Sequence, residues 1–183
     1  MTIRSATPAD VPALLAIYAP YVEKTAVSFE YDVPSEAEFA RRMAGILARY
    51  PYLALAEGDE ILGYAYTGPF KGRAAYDWAV ETTIYLRWDA RGRGYGRALY
   101  EALEAALRER NILNCYACIS WTEQPDEYLT HDSPRFHERM GYRLCGTFRR
   151  CGYKFGRWYD MIWMEKMLGD HAVLPAPTPW QNA

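Results

Sequence analysis

The fold of this chain is most legible in Arg91-Gly92-Arg93-Gly94-Tyr95-Gly96-Arg97-Ala98-Leu99. The stretch lies between a strand-like run, about Trp78 to Leu86, and a run whose Leu99, Leu103, Ala106 and Leu107 form one apolar helical stripe. Glycines at 92, 94 and 96 have no Cβ to block positive φ or close approach, so successive backbone N–H groups can converge on one point. The helix opening there adds unpaired amides and the positive end of its dipole. Arg87, Arg91, Arg93 and Arg97 crowd four cations together in a chain whose net charge is −2. These features ask for a polyphosphate, with a solvated Gly/Arg turn as the competing reading. A Walker loop needs Gly-Lys followed by Ser or Thr, which is absent. The dinucleotide fingerprint needs a third glycine where Arg97, Ala98 and Leu99 stand. Arg-x-x-Gly-x-Gly opening a helix is what remains.

Upstream, Thr2 to Ala6 reads as a strand, and Thr7, Pro8 and Asp10 start a helix that carries Leu14, Ile17, Tyr18 and Tyr21. Ser35 and Glu38 spell a capping box for a second helix with Phe39, Met43, Ile46 and Leu47. Tyr52 to Ala56 and Ile61 to Thr67 flank a Gly58-Asp59 turn as a hairpin. Downstream come a strand from Leu113 to Ser120, a polar loop, a short helix near Ser133 to Met140, and two strands flanking Gly152 to Gly156. The order β-α-α-β-β-β-α-β-α-β-β predicts an α/β fold with a mixed central sheet flanked by helices, not a doubly wound one. Residues 1–168 are expected to form a single domain. Residues 169–183, Pro-rich from Leu174 to Pro179, read as an extended tail.

Composition narrows the function classes. Half the residues are hydrophobic and 24% are charged, the balance of a globular domain. The weakly acidic charge leaves no basic surface for nucleic acid. No apolar run is long enough for a bilayer, and Met1-Thr2-Ile3-Arg4 leads straight into folded-looking sequence without a signal peptide, so a cytoplasmic protein is expected. The single C-x-x-C, Cys115 and Cys118, falls on a strand, where residues three apart point to opposite faces, so no metal or redox site is expected. The aromatic content of 15% suits either an aromatic-lined cleft or an aromatic core.

The Arg91 to Gly96 loop, the helix pair before the hairpin, and His137-Glu138-Arg139-Met140-Gly141-Tyr142 resemble the GNAT superfamily of N-acetyltransferases in order and spacing. More narrowly, Phe29 with Pro34-Ser35, Arg49-Tyr50-Pro51 and Gly68-Pro69-Phe70-Lys71-Gly72-Arg73-Ala74-Ala75-Tyr76-Asp77-Trp78 look like phosphinothricin and methionine sulfoximine/sulfone N-acetyltransferases. Glu81 to Leu86 and Gly152 to Trp158 match as well. The resemblance runs from about Thr2 to Leu168 and implies a mostly antiparallel GNAT sheet. It also implies acetyl-CoA as co-substrate, a small acidic amino-acid-like amine as acceptor, and a homodimer. Two departures stand out. Thr130 replaces the Asn usual before the short helix, and the Trp121 to Asp132 loop is longer than is typical.

Acetyl transfer to an amine requires loss of an ammonium proton, stabilisation of an oxyanion, and departure of a thiolate. Strand alternation places Trp78, Val80, Thr82, Ile84 and Leu86 on one face and Glu81, Thr83 and Tyr85 on the other. A carboxylate in so apolar a strand is either structurally paired or positioned for function, and the resemblance makes Glu81 the base. His137 occupies a slot that often holds Tyr in the superfamily, five residues before Tyr142, and is the second catalytic candidate; a satisfied helix histidine is the alternative. The resemblance implies a backbone donor for the oxyanion near Ile84, Tyr85 and Leu86. It implies coenzyme contacts from Arg91, Gly92, Arg93, Gly94, Tyr95, Gly96, Arg97 and Ser133. Acceptor contacts would come from Phe29, Lys71 and Arg73, with core packing and solvated loop charges as their alternatives. Asp160, interrupting an apolar strand, is expected to be paired structurally. A coenzyme A-binding module with little turnover is the competing function.

Overall fold

In a computed structural model, residues 1–172 and 175–181 are described. The opening residues show how local chemistry starts the fold. The Asp10 carboxylate accepts the Thr7 N–H at 2.7 Å and both terminal nitrogens of Arg4 at 2.7 Å, closing a turn over Pro8–Asp10. Helix α1, Val11–Lys24, grows from that turn. Ser35 caps α2, Glu36–Leu47, by accepting the Glu38 N–H at 3.2 Å. The expected box is only half formed, because Glu38 turns its carboxylate to Arg41 and Arg42 at 2.8 Å.

The remaining elements fall in the predicted order. They are β1 (Thr2–Ser5), β2 (Tyr52–Glu57), β3 (Glu60–Pro69), β4 (Ala79–Leu86), α3 (Tyr95–Arg108), β5 (Asn114–Trp121), α4 (Asp132–Arg139), β6 (Arg143–Lys154) and β7 (Arg157–Met167). The strands form one 7-stranded sheet in the order β1-β2-β3-β4-β5-β7-β6. Every neighbouring pair is antiparallel except β4 with β5. Helix α3 covers one face, where Leu99, Leu103 and Leu107 pack with Val80, Ile162 and Met164. Helices α1 and α2 cover the other, where Leu14, Tyr18, Tyr21 and Phe39 pack with Tyr52 and Tyr64. Cys115 is buried and Cys118 exposed, on the opposite faces that strand geometry requires. Asp160 accepts the Arg150 N–H at 2.7 Å, which pins the irregular part of β6.

Part of the Pro-rich segment, including Leu174, lies outside the described residues. Within 175–181, the Trp78 indole donates to the Ala176 carbonyl at 2.8 Å, and the Trp180 ring lies 5.1 Å from that of Tyr50.

Hydrogen bonding by Arg4 holds the Asp10 carboxyl down to about 2. A lowered carboxyl stabilises the fold above its unfolded value near 4, and that contribution disappears as pH falls toward 2. Asp10→Asn should therefore flatten the drop in Tm between about pH 4 and pH 2 relative to the wild type, as thermal melts across that range will read.

Candidate active site

Strands β4 and β5 pair only through Ala79–Asn114, Val80–Cys115 and Glu81–Tyr116. Beyond that point β4 stays with β3 as far as Leu86, while β5 stays with β7 as far as Trp121. The two strands therefore fork, and a cleft of about 850 Å³ opens between them. The Arg87 N–H donates to Leu62 of β3 at 2.8 Å, so strand alternation turns the amides of Ile84 and Leu86 toward the cleft. Leu86 is already engaged there, its N–H 3.3 Å from the Tyr21 hydroxyl, which donates to the Leu86 carbonyl at 2.6 Å. Ile84 lies between that engaged amide and the paired end of the fork.

The Gly/Arg loop closes the open end of the fork. Gly92 and Gly94 adopt φ of 76° and 83°, the left-handed region that a side chain would strain, and Gly94 caps α3. Gly96 serves packing instead, since a Cβ there would sit 3.1 Å from the Phe136 ring. The Arg91 guanidinium stacks on Tyr21 and Trp88 at 5.1 and 5.2 Å and lines the cleft, as does Arg97. Arg87 leaves the expected cationic set, because it pairs with Asp89 at 2.6 Å and Glu60 at 3.1 Å. Arg93 is exposed away from the cleft lining, and Tyr95 directs its hydroxyl to Glu57 at 2.6 Å. Ile84, Tyr85, Leu86 and Ser133 all line the cleft.

Glu81 stands at the fork, half-buried, with no hydrogen bond to another described residue. Burial pushes its carboxyl above the usual range, and Lys71 opposes part of that shift. The Lys71 ammonium, on the loop after β3, lies over Phe70 and Trp163 at 5.0 and 5.7 Å. Arg73 is exposed on the same loop and does not line the cleft. Phe29 packs against Gly152, where a Cβ would fall inside its ring, while Val27 reaches the cleft wall.

His137 is 3% exposed at the edge of the cleft. Its Nδ1 lies 2.8 Å from the Ser133 carbonyl and its Nε2 lies 2.8 Å from the Tyr100 hydroxyl. A carbonyl only accepts, so Nδ1 carries the proton and Nε2 accepts from Tyr100. Burial holds the imidazole down to about 4, and it is neutral at pH 7 with both nitrogens occupied.

Several lining residues escaped the sequence reading: Tyr21, Val27, Tyr66, Cys118, Ser120 and Leu129. Tyr21 alone carried a signal, a hydroxyl at a core position that needs a partner. Among the described residues, no group of three or more His, Cys, Asp or Glu is placed to hold a metal ion.

Known proteins resemble the chain over most of its length. The family described as acetyltransferase (GNAT) domain matches residues 3–163. A phosphinothricin N-acetyltransferase of Streptomyces viridochromogenes is 34% identical, over 96% of this chain and 90% of that protein. An L-methionine sulfoximine/L-methionine sulfone acetyltransferase of Pseudomonas paraeruginosa is 33% identical, over 90% and 92%. The crystal structure of a phosphinothricin acetyltransferase from Sinorhizobium meliloti in complex with AcCoA superposes with a TM-score of 0.86 at 34% identity, covering 97% of this chain and 93% of that one.

The lowered imidazole of His137 makes a stability prediction with a definite sign. The fold favours the neutral ring, so its contribution is complete above the unfolded value near 6.5 and is lost as pH falls toward 4. His137→Gln should flatten the fall in Tm over that window. Parallel wild-type and variant curves would show that the ring is not held neutral.

Proposed function

We propose, for a chain that belongs to the GNAT acetyltransferase family, transfer of an acetyl group from acetyl-CoA to the amino group of a small acidic amino acid of the phosphinothricin or methionine sulfone type. The observation that carries this reading is the Glu81 carboxylate at the fork, with no hydrogen bond to another described residue, on a cleft that Ile84, Gly92 and Gly94 also line. The relatives acting on such substrates supply the substrate class, and Lys71, close enough to Glu81 to shift it, supplies a cation for the acid group. Arg73 adds a second cation to the same loop. Phe29 contributes through the wall it supports.

The Gly92 and Gly94 amides, the N-terminus of α3 and Arg91 suit the coenzyme pyrophosphate. Thr82 to Leu86 presents a strand edge to the pantetheine amides, and Ser133 lies opposite. Glu81 takes the proton from the acceptor ammonium, directly or through water. The Ile84 N–H donates to the thioester oxygen as negative charge develops there. The amine nitrogen forms the C–N bond and sheds its second proton as the C–S bond breaks, and the leaving thiolate takes up one proton to depart as the thiol. His137 holds Tyr100 and the cleft wall in place rather than taking this proton, because its free lone pair is already used.

We also propose a homodimer built on β6. This 12-residue strand edges the sheet, with its Leu144 and Phe148 61% and 53% exposed and Trp158 of the neighbouring β7 61% exposed. Residues 1–168 form the catalytic domain in this reading, and the exposed thiols of Cys118, Cys145 and Cys151 suit the reducing cytoplasm.

Gly94→Val would put a branched side chain at a φ of 83° in the phosphate path. KM for acetyl-CoA should rise at least ~10-fold, or about 1.4 kcal/mol, and unchanged calorimetric affinity in a folded variant would remove this loop from the coenzyme site. The mechanism itself rests on Glu81. In Glu81→Gln, kcat near neutral pH should fall by ~10²–10⁴, with partial recovery as rising pH deprotonates the amine, while coenzyme affinity stays level. A variant that keeps its kcat across the pH range would make Glu81 structural.

A further inference from the structure

Lys154 ends β6 with a side chain buried to 3% exposure, although lysines are almost never buried without a partner of opposite charge. No carboxylate among the described residues pairs with it. Its ammonium has three N–H donors, and each meets a main-chain carbonyl: Val22 at 2.7 Å, Thr25 at 2.9 Å and Ser28 at 2.7 Å. Val22 belongs to the last turn of α1, whose unpaired carbonyls carry the negative end of the helix dipole. The cation thus caps the helix and fixes the backbone that follows. An apolar side chain of equal length would leave three carbonyls without donors.

The backbone it fixes is a wall of the cleft. Val27 lines the cleft, and its carbonyl accepts from Ser120 of β5 at 3.3 Å. Two residues before Ser120, Cys118 lies close enough to Glu81 for the carboxylate to act on its thiol, so this wall stands at the acceptor end. The hairpin that carries Lys154 makes further contacts with the segment, through Phe29 over Gly152 and through the Tyr31 hydroxyl donating to the Tyr153 carbonyl at 2.6 Å. The same hairpin holds the long loop between β5 and α4. Phe155 stacks on Tyr128 at 4.1 Å, and Arg157 pairs with Asp126 at 2.8 Å. Leu129 and Thr130 of that loop line the cleft as well, and the Ala26 N–H donates to the Tyr128 carbonyl at 2.9 Å to join the two walls.

We propose that Lys154 is a positioning residue for the acceptor amine, holding Val27 and the backbone from Thr25 to Ser28 as a preformed wall through three converging hydrogen bonds. The inference rests on reading the cleft as an amine acetyltransferase site. Lys154 touches neither substrate and acts only through the segment it ties.

The test is a comparison of two Michaelis constants. Lys154→Met keeps the length and removes the donors, and Lys154→Gln keeps two of them. With methionine sulfone or phosphinothricin as acceptor, KM for the amine should rise at least ~5-fold in the Met variant and less in the Gln variant, while KM for acetyl-CoA stays within about 2-fold. A folded variant with both constants unchanged, or with both raised together, would overturn the proposal. Hydrogen exchange on the wild-type enzyme gives a second measurement that does not depend on the variants folding. The amides of Ala26 and Val27 should exchange as slowly as those of the flanking sheet, and exchange at the rate of an exposed loop would also overturn it. If the wild type acetylates neither amine, the reading of function fails, and the exchange rates still decide whether the wall is preformed.

Discussion

Beyond Glu81 and Tyr116, β4 and β5 cease to pair, and the rest of the molecule is arranged around that fork. Each strand keeps a full ladder on its outer side, so the sheet holds together while its middle opens. A strand edge facing a cleft carries backbone groups that need partners. Tyr21 supplies a partner for Leu86, and in the proposed reading the thioester supplies one for Ile84. The same tyrosine ring carries the Arg91 guanidinium, so one residue of α1 links the strand edge to the phosphate loop. In the proposed reading the pantetheine arm runs along β4 and ends near Glu81.

Glu81 and His137 are two of the titratable groups that border this cleft, and burial acts on both in the same sense, against charge. For Glu81 that raises the carboxyl and makes it a better base. For His137 it lowers the imidazole and makes it a poorer one. Hydrogen bonding separates them further. His137 has spent both nitrogens on Ser133 and Tyr100, whereas no described residue pairs with Glu81. Geometry and charge both support Glu81 over His137 as the proposed base.

The abundant aromatics serve both purposes that composition left open. Tyr52 and Tyr64 stack across β2 and β3 in the core, and Tyr66 and Tyr85, in contact with Tyr52 and Tyr18, carry the aromatic cluster to the cleft lining. Phe70, Tyr116 and Trp163 instead form an aromatic surface under Lys71. A cation over ring faces has its position restricted, which in the proposed reading suits recognition of an acid group.

By itself, the sequence determined the order of elements, the faces of β4, the caps at Thr7–Asp10 and Ser35, and the glycines that open α3. These are local matters, set by periodicity and by backbone freedom over a few residues. Tertiary structure decided which charges are free. Arg87 lies within the same run as Arg91, yet Glu60 on a neighbouring strand takes it out of the cationic set. Phe29 proved to be support for a wall whose cleft-facing residue is Val27, and Lys154, to which no role could be read, proved to be the tie behind that wall. Its partners Val22, Thr25 and Ser28 lie far away along the chain. Pairings made across such a distance depend on how the sheet and helices bring segments together, and a pattern read over neighbouring residues does not contain that information.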